Sequence, residues 1–146
     1  MTNDVYGRAF IESVLPHGPS MCLLDAVEWA TPASIRCRGL ATDEPKHPLA
    51  HNGTLAAVHA VEYAAQAAAV HGAIRRGGTP TGPGAIASVR KVDWNAAVLE
   101  PGPLWVECEL RTGDTRHCSY AFSATGIGDT RVSGELMVVF RAEHTA

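Results

Sequence analysis

HNGTLAAVHAVEYAAQAAAVHGA, residues 51–73, is the stretch on which the fold turns. Nine of its 23 residues are alanine, and one carboxylate, Glu62, stands near its centre. Asn52 and Thr54 are N-cap candidates, while Gly72, Gly77 and Gly78 mark the far end. The composition predicts one long helix, apolar nearly all round, and such a helix is buried nearly all round. Its small side chains let a sheet, or a partner subunit, come close on every side. At about 100° per residue, Glu62 shares its face with Leu55, Val58, His59, Ala65, Gln66 and Ala69. That is no solvated stripe. A carboxylate there is costly unless hydrogen-bonded or neutral, and an acid held neutral in apolar surroundings is suited to general acid catalysis. A structural glutamate, paired with a histidine or a backbone group, is the competing reading.

The segments on either side supply strands. A short helix is expected over residues 3–14, ending before Pro16. MCLLDAVEW (21–29) reads as a strand, and ASIRCRGLA (33–41) alternates, with Ile35, Cys37 and Gly39 on one side and Arg36 and Arg38 on the other. Residues 42–53 form a loop with two prolines, long enough to be functional. After the helix and the loop at 77–84 come four strand-like runs, 85–98, 102–112, 117–126 and 130–142, separated by turn signals in the rhythm of an antiparallel meander. One long helix with such a run of strands implies a single α+β domain over residues 1–146, its antiparallel sheet curled around the helix.

Composition narrows the chemistry. Net charge is −3 and the basic residues are scattered, which gives no footprint for nucleic acid. The N-terminus shows no secretory n-region and h-region, and polar residues interrupt the apolar stretch at 54–74, so neither secretion nor a membrane span is expected; the cytoplasm is. Cys22, Cys37, Cys108 and Cys118 form no CxxC pair, and Cys22 and Cys37 read as small buried hydrophobes. No HExxH, GxSxG, Walker or GxGxxG pattern occurs, so neither a metal nor a nucleotide cofactor is expected. Among the seven histidines, His117 and His144 read as surface residues, and His71, about 180° from Glu62, as a helix C-terminal cap. His59 could pair with Glu62 along the helix. His17, His47 and His51 lie in loops. What remains is a helix acid with a histidine from elsewhere, a cofactor-free acid–base pair.

Two motifs carry a resemblance. LPHGPSM (15–21) before the first strand, and Glu62-Tyr63-Ala64-Ala65-Gln66 on the helix, resemble the LPHxxPM and ExxAQ motifs of the hotdog-fold 3-hydroxyacyl-[acyl-carrier-protein] dehydratases, in the branch associated with aryl polyene biosynthesis. General fatty-acid dehydratases carry their histidine in an HFPG loop; here the matching position is Pro48, flanked by His47 and His51. The base is therefore expected at His17, with His47 and then His51 as alternatives. The resemblance implies dehydration of a 3-hydroxyacyl thioester, with His17 as base and Glu62 as acid. Backbone N–H groups near Gly53 and Thr54 would steady the thioester oxygen, and His59 and Gln66 would contact substrate. It also implies a homodimer, an acyl tunnel, and no cofactor beyond the phosphopantetheine arm of an acyl carrier protein, received at Arg75 and Arg76 or at Arg36 and Arg38. A hotdog thioesterase and a non-catalytic subunit that binds acyl carrier protein are the alternatives.

Overall fold

A computed structural model describes residues 4–15, 21–42, 47–50, 55–78, 84–113 and 117–140. In chain order the elements are β1 (Tyr6–Gly7), α1 (Arg8–Val14), β2 (Leu24–Ala30), β3 (Ser34–Ala41), a 3-10 turn (Ala57–His59) leading into α2 (Ala60–Arg75), then β4 (Gly84–Trp94), β5 (Gly102–Gly113), β6 (His117–Gly126) and β7 (Arg131–Phe140). One seven-stranded sheet runs β1-β2-β3-β5-β6-β7-β4, every pairing antiparallel. α2 lies across β2, β3, β5, β6 and β7. This is the hotdog arrangement, with one long helix held in a curved antiparallel sheet.

The alanines explain the closeness of that packing. Ala60, Ala64, Ala67, Ala68 and Ala73 are buried, together with Val61, Val70 and Tyr63. Against them stand the inward residues of the strands: Leu24 and Val27, Ile35 and Cys37, Val106 and Cys108, Tyr120 and Phe122, Val132 and Leu136. The helix backbone comes so near the sheet that Cys108 Sγ–H donates to the Ala64 carbonyl at 3.4 Å. All four cysteines are buried and none is in a disulfide, and burial pushes the Cys37 thiol up to about 12, so these thiols act as small core hydrophobes.

Three expectations change. The N-terminal helix begins only at Arg8, because Tyr6 and Gly7 pair with Val27 and Ala26 as a short edge strand. The run 85–98 leaves the sheet after Trp94. Asn95 ties the strand end to the β6–β7 turn, Nδ2 donating to Asp129 O at 2.7 Å and Oδ1 accepting from Arg131 N at 2.8 Å. Residues 97–99 then pair with the approach to the helix: Ala57 N–H donates to Ala97 O and Leu99 N–H to Leu55 O, each at 2.8 Å. The helical segment starts at Ala57, with no side-chain cap, and Asn52 and Thr54 lie outside the described residues. Backbone, through Ala97 O, rather than a capping side chain takes the first N–H of the segment, that of Ala57. The far end does close at glycine, Gly77 and Gly78 having φ of 76° and 90°.

Gly39 marks the tightest approach. A Cβ there would stand 2.5 Å from the Leu23 carbonyl oxygen and 3.0 Å from the Tyr63 ring. Backbone cannot yield as a flexible side chain can, so Gly39→Ala is expected to destabilise the fold by about 1–3 kcal/mol, read as a lower urea midpoint with unchanged slope.

Candidate active site

Glu62 lies in the first turn of α2 and is exposed. The residues above and below it on the same flank, Val58, Ala65 and Ala69, are exposed or half-buried, Val58 at 47%. The face chosen by angle is thus only partly covered by this chain: Leu55 and Gln66 are buried, while Val58, Glu62, His59, Ala65 and Ala69 are exposed or half-buried. Low polarity along a helix does not by itself say which of its residues the chain covers. No hydrogen bond or ion pair joins Glu62 to His59, which is half-buried.

Gln66, one turn further along, is the opposite case. It is 8% exposed, and both ends of its amide engage backbone of the segment before β2. Oε1 accepts from Leu23 N–H at 2.9 Å, and Nε2 donates to Met21 O at 2.7 Å. A contact with substrate was expected of it; the structure gives it a tie between helix and chain.

His47, the second candidate base, is also engaged on both sides. Tyr63 donates its hydroxyl hydrogen to Leu40 O at 2.8 Å, and Leu49 N–H donates to His47 Nδ1 at 3.2 Å. The remaining contact, His47 Nε2 to the Tyr63 oxygen at 2.8 Å, therefore has Nε2–H as donor. Burial, with the neighbouring His59 adding to it, holds the His47 ring below the usual histidine range. A neutral ring whose one lone pair is already bonded is poorly placed to take a substrate proton. His17, His51, Gly53 and Thr54 lie outside the described residues, as does His144.

His71 is no helix cap. It is fully buried, and both nitrogens are bonded: Nε2–H donates to Thr31 O and Nδ1 accepts from the Tyr120 hydroxyl, each at 2.8 Å. Thr31 also organises the β2–β3 turn, its Oγ1 accepting from Ala33 and Ser34 N–H, so this histidine fastens the second half of α2 to that turn. The signal was in its position opposite Glu62, on the side that faces the sheet. Arg36 and Arg38 were expected to receive an acidic partner. Arg36 is bonded to Glu28 and Glu107 and lies over Trp105, and Arg38 is bonded to Asp4 and Glu28. Their charges are answered within the chain. Arg75 and Arg76 are exposed at the end of the helix. Among the described residues no cluster of three or more His, Cys, Asp or Glu could hold a metal ion, and no helix is long and apolar enough to cross a membrane.

Burial lowers the affinity of folded His71 for a proton, opposed by its bond to Thr31 and aided by Arg75. The unfolded ring titrates near pH 6.5. Below that pH the unfolded chain gains a proton that the folded chain resists, so stability falls as pH drops from about 6.5 through the folded value. Melting temperature is expected to fall between pH 7.5 and 5.5, and less steeply in His71→Gln. An unchanged slope in that variant would remove His71 from the account.

The profile of the ApeP-like family, described as ApeP dehydratase, matches residues 9–146. Among solved structures, the dehydratase heterocomplex ApeI:P from Xenorhabdus doucetiae is similar over 91% of each chain, with a TM-score of 0.81 and 22% identity. A mutant thioesterase from Pseudomonas aeruginosa is similar over 93% of this chain and 94% of its own, with a TM-score of 0.65 and 9% identity. A mutant of the fluoroacetyl-CoA-specific thioesterase FlK, in complex with fluoroacetate and CoA, follows over 74% and 91%, with a TM-score of 0.57 and 19% identity. At these identities the likenesses show the fold alone. No curated protein matches the sequence.

Proposed function

Because this chain belongs to the ApeP-like dehydratase family, we propose that it dehydrates a 3-hydroxyacyl group carried as a thioester on acyl carrier protein. His17 takes a proton from C2, Glu62 gives a proton to the C3 hydroxyl, water leaves, and the C2–C3 double bond forms conjugated to the thioester. Backbone N–H groups of Gly53 and Thr54 steady the carbonyl oxygen as charge gathers on it. The phosphopantetheine arm belongs to the substrate carrier, and no other cofactor is invoked. Exposed Arg75 and Arg76 are the arginines suited to an acidic carrier. Hydroxide is a poor leaving group, so the C3 oxygen takes a proton as its bond to carbon breaks, and Glu62 is the donor in this reading.

The observation that carries this reading is Glu62 in the ExxAQ motif, at the centre of an apolar helix flank that its own sheet covers only in part. A second subunit over that flank would supply the missing enclosure. The sheet is also unfinished on the helix side. Val89 and Trp94 of β4 stand opposite the buried Leu136 and Val132, hence on the inner face, yet they are 39% and 46% exposed. β4 is the long edge of the sheet. The partner proposed is a second copy of this chain. The similar ApeI:P structure is a heterocomplex, which favours as second reading a sister hotdog chain, with catalysis requiring both.

Purified protein with 3-hydroxyacyl carrier protein is expected to form the enoyl thioester. Glu62→Gln and His17→Ala should each lower kcat by about 10²–10⁴-fold, and His47→Gln far less. Full activity in both of the first two variants would sink the assignment. Release of free thiol from acyl thioesters lacking a hydroxyl would indicate a thioesterase instead. Sedimentation should give a dimer, converted to folded monomer by Ala65→Arg. Wild-type monomer that turns over only after a second hotdog chain is added would favour the sister-chain reading.

A further inference from the structure

A cavity of about 520 Å³ opens where the end of β4 meets the turn between β6 and β7. Its lining includes Asp93, Trp94, Asp129 and Arg131, all exposed. Asp93 is paired with Ser133, and Arg131 lies two residues away on the same face of β7, so Asp93 and Arg131 are diagonal neighbours about 7–8 Å apart. Asn95 holds the walls together. Its Nδ2 donates to Asp129 O at 2.7 Å, its Oδ1 accepts from Arg131 N–H at 2.8 Å, and its own N–H donates to Arg131 O at 3.2 Å. Gly128 and Asp129 both have positive φ, 67° and 65°, as a tight hairpin turn requires. The backbone that carries the charged groups is therefore set in place before any ligand arrives.

Two features set this cavity apart from a cleft of solvated charges. Among the described residues, none of Asp93, Asp129 and Arg131 is in an ion pair, although carboxylates and a guanidinium share the cavity. Thr130 lines the same cavity and is 5% exposed, and its hydroxyl has no hydrogen-bond partner among the described residues. A buried hydroxyl left without a partner destabilises the folded chain, and a valine of the same shape would avoid that cost. The cavity is where a partner for it can stand.

The charges select the ligand. Two carboxylates against one guanidinium leave the lining with an unmatched negative charge, which calls for a molecule with two cations and one anion. Asp129 and Arg131 flank Thr130, so they suit an ammonium and a carboxylate borne on one carbon. Asp93, across the sheet, suits a second cation at the end of a stem, and Trp94 offers an apolar wall for that stem. We propose that the cavity binds a free basic amino acid. Arg131 and the Thr130 hydroxyl hold its α-carboxylate, Asp129 its α-ammonium, and Asp93 its side-chain cation.

The full chain is titrated with L-arginine by calorimetry, with L-lysine, L-citrulline and agmatine for comparison, and each variant is also melted. L-Arginine and L-lysine are expected to bind one per chain with Kd of about 1 mM or below. L-Citrulline, which lacks the side-chain charge, should bind at least about tenfold more weakly than L-arginine. Asp93→Asn and Asp129→Asn should each weaken L-arginine by about 10–100-fold. Arg131→Gln should weaken L-arginine by about the same factor, yet leave agmatine, which lacks the carboxylate, within about threefold of wild type. Thr130→Val should melt no lower than wild type and bind L-arginine about 3–10-fold more weakly, an outcome that a purely structural hydroxyl would not give. No heat from L-arginine or L-lysine up to about 10 mM would overturn the site. So would equal affinity for L-citrulline, unchanged affinity in both aspartate variants, or a Thr130→Val protein that melts lower and binds as wild type.

Discussion

The contact between the alanine face of α2 and the inner face of the sheet is the constraint on which the other features depend. A helix can come close enough for a sheet thiol to reach its backbone carbonyl only where its side chains are small, as at Ala64 opposite Cys108. The same closeness requires Gly39 beneath the Tyr63 ring. It also leaves little room for water, so each polar group on the helix that faces inward must find its partner in the chain.

Three side chains of α2 meet that requirement, and each fastens a different segment. Tyr63 reaches Leu40 O and His47, Gln66 reaches residues 21 and 23, and His71 reaches Tyr120 and the turn at Thr31. Hydrophobic contact is non-directional and would allow the sheet to slide along the helix; these bonds specify one position. The helix is therefore both the centre of the core and the gauge against which the loops around it are set.

The face of α2 that the sheet covers only in part has the same small residues and carries Glu62. Its composition makes sense if another subunit approaches it as closely as the sheet approaches the opposite side. A dehydratase acid placed there would be completed by assembly, which joins the chemistry of the site to the association of subunits. Arg36 and Arg38, by contrast, are taken up in an ion-pair network on the outer face of β3 and belong to the stability of the sheet.

The order of the main elements, the alternation of Ile35, Cys37 and Gly39 on β3, the alanine helix and the motif glutamate were all legible in the residues, because each depends on local periodicity or on a short motif. The small strand at Tyr6 and Gly7, the departure of residues 95–99 from the sheet, and the partners of Gln66, His47 and His71 were not, because each is fixed by a segment distant in sequence. Burial of Glu62 failed for a further reason. A sequence records that a face is apolar, and the free energy of covering that face is the same whether the cover is the chain's own sheet or another molecule. The sequence by itself determined which residues wish to leave water; only the tertiary structure decided which of them this chain can hide.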